Sequence, residues 1–179
     1  MSASVEAPAL IPFGADRVDA VADFLGALPE GDRTFIKEAV DDRSTVLGWA
    51  QAPMGSRWLA SDGDDVIGYL AVLPLPGWSS HVGELRMVVA PQARGRGVGR
   101  LLAGQALKTA LELGLTKLVV EVVAVQTGTI AMFNELGFRG EALLTDQIRD
   151  GHGELQDLVV LAHDVTAAAT ALDTVGAAD

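Results

Sequence analysis

The chain has 179 residues, 49% of them hydrophobic, a length and composition that suit one domain with a true core. It contains no cysteine, which excludes disulfides, thiolate metal sites and a cysteine nucleophile; no metal site is expected. The formal charge of −11 argues against a general nucleic-acid binder, and no apolar run approaches the ~20 residues of a membrane span.

The first residues lack a basic stretch followed by an apolar one, so no secretory leader and a cytoplasmic setting are expected. Residues 1–13 read as a loose lead-in with one short edge strand. Val18, Val21, Ala22, Leu25 and Leu28 are spaced for one face of a helix over residues 16–28, with Pro29 closing it. A second helix is predicted around Phe35, Ile36, Ala39 and Val40, and a third over 45–51. Residues 57–61 and 66–73 read as strands joined by Asp62-Gly63-Asp64-Asp65, a hairpin turn. A strand over 82–90 is stopped by Pro91, and a helix spans about 99–113, ended by Gly114. Residues 117–125 are nearly all apolar and valine-rich, which predicts a strand covered on both faces. A helix over 128–136 and two strands over 142–149 and 154–163 complete the domain, set at 1–165. An alanine-rich tail, 166–179, is expected to fray. The order predicts an α/β or α+β fold with a mixed sheet.

Charge is distributed unevenly. Residues 91–117 hold Arg94, Arg96, Arg100, Lys108 and Lys117 against only Glu112, so an acidic chain carries one basic segment. Within it a strand stops at a proline and three alternating glycines, Gly95, Gly97 and Gly99, open a helix. Glycine lets a ligand approach the backbone, and the first helical turn offers unpaired N–H groups at the positive end of the helix dipole. This is an anion site, with Arg94, Arg96 and Arg100 around it. The dinucleotide fingerprint G-x-G-x-x-G fails in either frame, because Leu102 or Arg100 falls on the third glycine, and the P-loop Gly-Lys-Ser/Thr is absent.

The run Val89-Ala-Pro91-Gln-Ala-Arg94-Gly-Arg-Gly97-Val-Gly99 resembles the R-x-x-G-x-G signature of the GNAT superfamily, with its V-x-P lead-in. The downstream N-x-x-A-x-x-x-Y-x-x-x-G-F frame ends here on Gly137-Phe138, with Gln126, Thr129 and Phe133 at the asparagine, alanine and tyrosine positions. The resemblance implies a central mixed, mostly antiparallel sheet with a splayed parallel pair, flanked by helices. It implies N-acetyl transfer from acetyl-CoA to a small-molecule or protein amine in a ternary complex. The N–H groups of Gly95, Arg96, Gly97, Val98, Gly99 and Arg100 would hold the coenzyme diphosphate. Main-chain groups of Met87, Val88 and Val89 would hold its pantetheine arm, with Gln126, Thr129 and Phe133 as further contacts. The amine must lose a proton before it attacks. Glu84 is the first candidate base and His81 the other; an ion pair with Arg86 is the competing reading of Glu84. Phe133 has no proton to give a leaving thiolate. A non-catalytic acyl-CoA sensor is therefore the alternative function, and a nucleotide-binding domain of another family a third. Trp49, Trp58 and Trp78 are candidates for acceptor shaping or plain core. The acidic surface suits a cationic acceptor, and the resemblance allows a homodimer.

Overall fold

The computed structural model describes residues 7–33, 36–37, 42–52 and 54–166. In chain order these form β1 (Ala9–Pro12), α1 (Val18–Gly26), α2 (Glu30–Arg33), α3 (Arg43–Gln51), β2 (Ser56–Asp62), β3 (Asp65–Pro74), β4 (Val82–Val89), α4 (Val98–Glu112), β5 (Lys117–Val123), α5 (Thr127–Glu135), β6 (Arg139–Arg149) and β7 (Leu155–Asp164). The strands follow the order β1-β2-β3-β4-β5-β7-β6. β1–β2, β5–β7 and β6–β7 are antiparallel, while β4–β5 is parallel. The expected mixed sheet is present.

By contact density the chain divides into two compact units. The first holds the described parts of Met1–Pro53 together with Arg57–Leu70 and Met87–Leu102. The apolar spacing of α1 works as anticipated, with Val18, Val21, Leu25 and Leu28 buried, although Phe24 rather than Ala22 completes the face. Asp42 caps α3 by accepting from the Ser44 N–H at 2.8 Å, and the bonds from Ser44 hold its carboxyl below the ordinary range. Tyr69 of β3 is stacked on Trp49 at 5.4 Å and meets Phe13 edge-on at 6.5 Å. The β2–β3 turn is as predicted, with Gly63 at φ +61. Of the second predicted helix, Phe35, Ala39 and Val40 lie outside the described residues.

The second unit holds Met54–Ser56, Ala71–Arg86 and the described part of Ala103–Asp179. Its core includes Leu85, Leu118, Leu161, Phe133 and Phe138, all at most 2% exposed. Phe133 and Phe138 meet edge-on at 5.0 Å, and Phe138 leans on His163 at 5.1 Å.

β5 departs from expectation. Leu118, Val120 and Val122 are buried, but Lys117, Val119 and Glu121 are half-exposed. The strand therefore has one covered face and one open face. Two ionic side chains at period-two spacing, Lys117 and Glu121, mark the open side despite the valines between them. Among the described residues no helix is long and apolar enough to cross a membrane.

Candidate functional site

The glycine-rich turn sits in the first unit. After β4, a short 3-10 turn at Pro91–Ala93 leads into Arg94, and Gly95 and Gly97 follow at φ +72 and +83. Both values lie in the left-handed region that favours glycine. A Cβ built on either glycine meets nothing within 4 Å, and Gly95, Arg96 and Gly97 are exposed. Among the described residues the N–H groups of Gly95, Arg96, Gly97 and Gly99 make no backbone hydrogen bond. Val98 opens α4, and its buried side chain anchors the turn from below. The loop thus lies exposed at a helix start, with N–H groups that make no backbone hydrogen bond among the described residues.

The arginines of the turn have partners that the sequence did not indicate. Arg94 donates from Nε to the Val89 carbonyl at 3.2 Å and pairs with Asp32 at 2.8 Å. Arg96 pairs with Asp62 at 2.9 Å. Arg100 is exposed on the first turn of α4. The Arg94 and Arg96 guanidiniums are therefore held by carboxylates of this chain. No local signal marks Asp32 or Asp62, which lie 62 and 34 positions away from their partners.

Met87, Val88 and Val89, on the last part of β4, are half-exposed. The register of β4 with β5 runs from Val82–Lys117 to Leu85–Val120, after which both strands continue as strand. Arg86 and Glu121 are the first residues past that ladder. Alternation places Glu84, Arg86 and Glu121 on one face. Glu84 accepts from Arg86 at both oxygens, 3.0 and 3.2 Å, with the two side chains 14% and 28% exposed. The ion-pair reading of Glu84 is thus what the structure displays. Burial lowers the Arg86 pKa and the charge of Glu121 raises it. Glu121 was not among the sequence candidates; an acid inside a valine-rich strand was the available signal.

His81 lies before β4 in the second unit, with its carbonyl accepting from the Thr116 and Lys117 N–H groups. It borders an open hollow of about 510 Å³ that also touches Lys117, Arg139, Glu141, His163 and Asp164. The charges there are mostly satisfied: Lys117 pairs with Glu141 at 2.7 Å, and Arg139 donates to the Asn134 and Phe138 carbonyls. Among the described residues no cluster of His, Asp and Glu could hold a metal ion.

Gln126 is the N-cap residue of α5, its carbonyl accepting from Thr129 and Ile130, and both Gln126 and Thr129 are half-exposed. Phe133 is 1% exposed, so its ring serves the core. Tyr69 is no substitute proton source at the surface. Arg57 donates to its hydroxyl at 3.1 Å, and burial pushes its pKa up to about 12. Trp58 is half-buried with its Nε1 sealed and without a partner among the described residues, and Trp78 is 97% exposed.

Comparison with known proteins bears on this geometry. N-acetyltransferase 8F1 of Rattus norvegicus is 32% identical over 96 residues, covering 51% of this chain but only 43% of that protein. The chain thus spans less than half the length of that relative. A phosphinothricin acetyltransferase from Sinorhizobium meliloti, solved with AcCoA, superposes with a TM-score of 0.76 at 17% identity, covering 89% of both chains. A chimeric spermidine N-acetyltransferase from Vibrio cholerae gives 0.74 at 16%, covering 90% of this chain and 98% of that one. At these identities the structural likeness is one of fold. The family model described as the acetyltransferase (GNAT) family matches residues 22–138, more than half of the sequence and including the whole glycine-rich turn, so the chain belongs to the acetyltransferase (GNAT) family.

Proposed function

We propose that the chain transfers an acetyl group from acetyl-CoA to an amine bound at the same time, with the coenzyme diphosphate on the amides of Gly95 to Arg100. The observation that carries this is the open loop: positive φ at Gly95 and Gly97, empty space above both, and, among the described residues, no backbone hydrogen bond from the N–H groups of Gly95, Arg96, Gly97 and Gly99. These are the features a diphosphate needs, and a Cβ at either glycine would fill the space it takes. A structural neighbour solved with AcCoA supports the same ligand.

Acetyl-CoA, when bound, supplies the thioester whose acetyl group the amine accepts. The loop amides bind and orient the anionic end. The main-chain groups of Met87, Val88 and Val89 are the candidates for positioning the pantetheine arm, and the Val89 carbonyl also accepts from Arg94. Glu84 takes the proton of the amine at a carboxylate oxygen, which must first leave the Arg86 fork. With Phe133 buried and the Tyr69 hydroxyl held by Arg57, solvent water protonates the departing thiolate, a fair leaving group with a thiol pKa near ~8.5. His81 is the second candidate base and is exposed.

One observation favours a second reading. The tyrosine position of the family frame holds a core phenylalanine, which suits a non-catalytic acyl-CoA sensor. Thiol release from acetyl-CoA with a panel of amines, beside CoA binding by thermal shift, separates the two. Ligand at ~100-fold its dissociation constant adds about 2.7 kcal/mol of stability. Binding without thiol release from any amine would establish the sensor. The setting we propose is cytoplasmic. A second copy is proposed to add along β6, the outer strand, whose Leu143 is 60% exposed; sedimentation tests this.

A further inference from the structure

We infer that the hollow beside His163 is a second binding site, for a small carboxylate, with the anion set against the Nε–Nη2 edge of Arg139 and the Nε2–H of His163. The acetyl-transfer reading does not require this site, and the two stand or fall separately.

The site lies wholly within the second unit. It is a hollow of about 510 Å³ where β7 ends and β6 begins, with Lys117 at the start of β5. The half-exposed ring of His163 declares where its proton sits. Nδ1 is sealed from solvent and has no hydrogen-bond partner among the described residues. A buried N–H without an acceptor is rarer and costlier than a bare lone pair, so the neutral ring carries its proton on Nε2. Glycine at position 137 keeps the approach to that nitrogen open, since a Cβ there would stand 3.0 Å from it.

Arg139 supplies the second part. Its Nη1 donates to the carbonyls of Asn134 and Phe138 at 2.9 and 2.8 Å, which fixes the guanidinium at the end of α5. Its Nε and Nη2 make no hydrogen bond among the described residues. That edge offers two parallel N–H donors in an orientation already set by Nη1. Such a fork meets both oxygens of a carboxylate.

The carboxylates of the wall are engaged elsewhere. Glu141 accepts from Lys117 at 2.7 Å, and Asp164 accepts from the Thr166 N–H and hydroxyl at 3.0 and 2.7 Å. They still set the charge of the guest, because each opposes a dianion about twice as strongly as a monoanion. A carboxylate therefore suits the hollow better than a phosphate does. Gly137 and Ala162 complete the wall without polar side chains and suit a short carbon body behind the anion.

The test uses the full chain with propionate, inorganic phosphate and propylamine, at one neutral pH and constant ionic strength. The ring signals of the three histidines, His81, His152 and His163, are followed by NMR. Propionate is expected to move the His163 signals and to saturate on the order of millimolar concentration. His152, in the loop between β6 and β7, should stay unmoved. Phosphate should bind severalfold more weakly, and propylamine should move nothing. Arg139→Lys keeps the charge but loses the fork, and should weaken propionate roughly tenfold. Glu141→Gln removes an opposing carboxylate and releases Lys117, so it should tighten propionate severalfold, a gain that misfolding cannot produce. A His163 ring indifferent to propionate overturns the inference. So does equal movement of all three histidines, equal or tighter binding of phosphate or propylamine, or an unchanged propionate affinity in both variants.

Discussion

Replacing Gly97 separates the charge of the proposed phosphate cradle from its shape. Gly97 has φ +83 and open space where a Cβ would go, so a side chain there costs the protein only its backbone conformation. That cost is about 1 kcal/mol, less for Asn, which tolerates the left-handed region. Gly97→Asn and Gly97→Asp place nearly the same volume in the same spot, and they differ by one negative charge. Against a diphosphate ~5 Å away, that charge is worth about 3 kcal/mol at an effective dielectric of ~20. The loop is exposed, and a Debye length of ~8 Å trims the figure toward about 2 kcal/mol. CoA should therefore bind Gly97→Asp roughly 30-fold more weakly than Gly97→Asn. Titration calorimetry at low and high salt measures the gap, which should shrink as salt rises. Thermal unfolding of the two free variants should agree to within about 0.5 kcal/mol. Equal CoA affinities for the Asn and Asp variants would place the diphosphate elsewhere.

Three further outcomes follow from the side chains. Tyr69 is the only tyrosine, and burial raises its pKa to about 12 against an unfolded value of 10.0. A raised folded pKa gives stability that is complete below about pH 10 and lost as pH climbs toward 12, by about 2–3 kcal/mol. Urea melts across that window should show the loss in the parent chain, and a flat profile in Tyr69→Phe. Glu84→Gln should lower turnover at neutral pH with CoA binding intact; unchanged rates from pH 6 to 9 would leave His81→Gln as the variant that loses them. Restoring the family tyrosine with Phe133→Tyr should not speed thiol release. The ring is 1% exposed, so the new hydroxyl goes into the core unpaired and costs about 1–3 kcal/mol, visible as a lower melting temperature.

The parts of the fold set by local pattern were legible. The period of α1 and the Asp-Gly turn between β2 and β3 needed only neighbours in sequence, and so did the proline and glycines around α4. The glycine-rich turn was legible for the same reason: glycine spacing declares its left-handed backbone conformation. Side-chain pairing over long separations was not. Arg94 and Arg96 each looked like a group aimed at a ligand, and each is held by a distant carboxylate of this chain; the Glu84–Arg86 pair, two residues apart, was within reach of the sequence. Glu121 was hidden because a valine-rich run suggests burial on both faces. Only the pairing of β5 with β4 and β7 shows which side of the strand is open.

The fate of Arg94 bears on how the loop is held. Its Nε is committed to the Val89 carbonyl and another guanidinium nitrogen to Asp32, so it ties the loop to the end of β4 and to α2 at once. A guanidinium spent this way contributes little direct charge to a bound anion, and its effect on CoA must pass through the conformation of Gly95 to Gly97. Asp32→Asn removes the carboxylate that fixes this geometry. Asp32 is 19% exposed and Arg94 50%, so the pair is partly screened and its loss should cost about 1 kcal/mol of stability. CoA affinity should fall severalfold, because a loosened loop must be ordered on binding. Arg94→Lys should behave alike, since an ammonium cannot meet Val89 and Asp32 in the same fork. Were Asp32 instead competing with the diphosphate for Arg94, Asp32→Asn would bind CoA more tightly than the parent chain. Calorimetric titration of that one variant decides between a tether and a competitor.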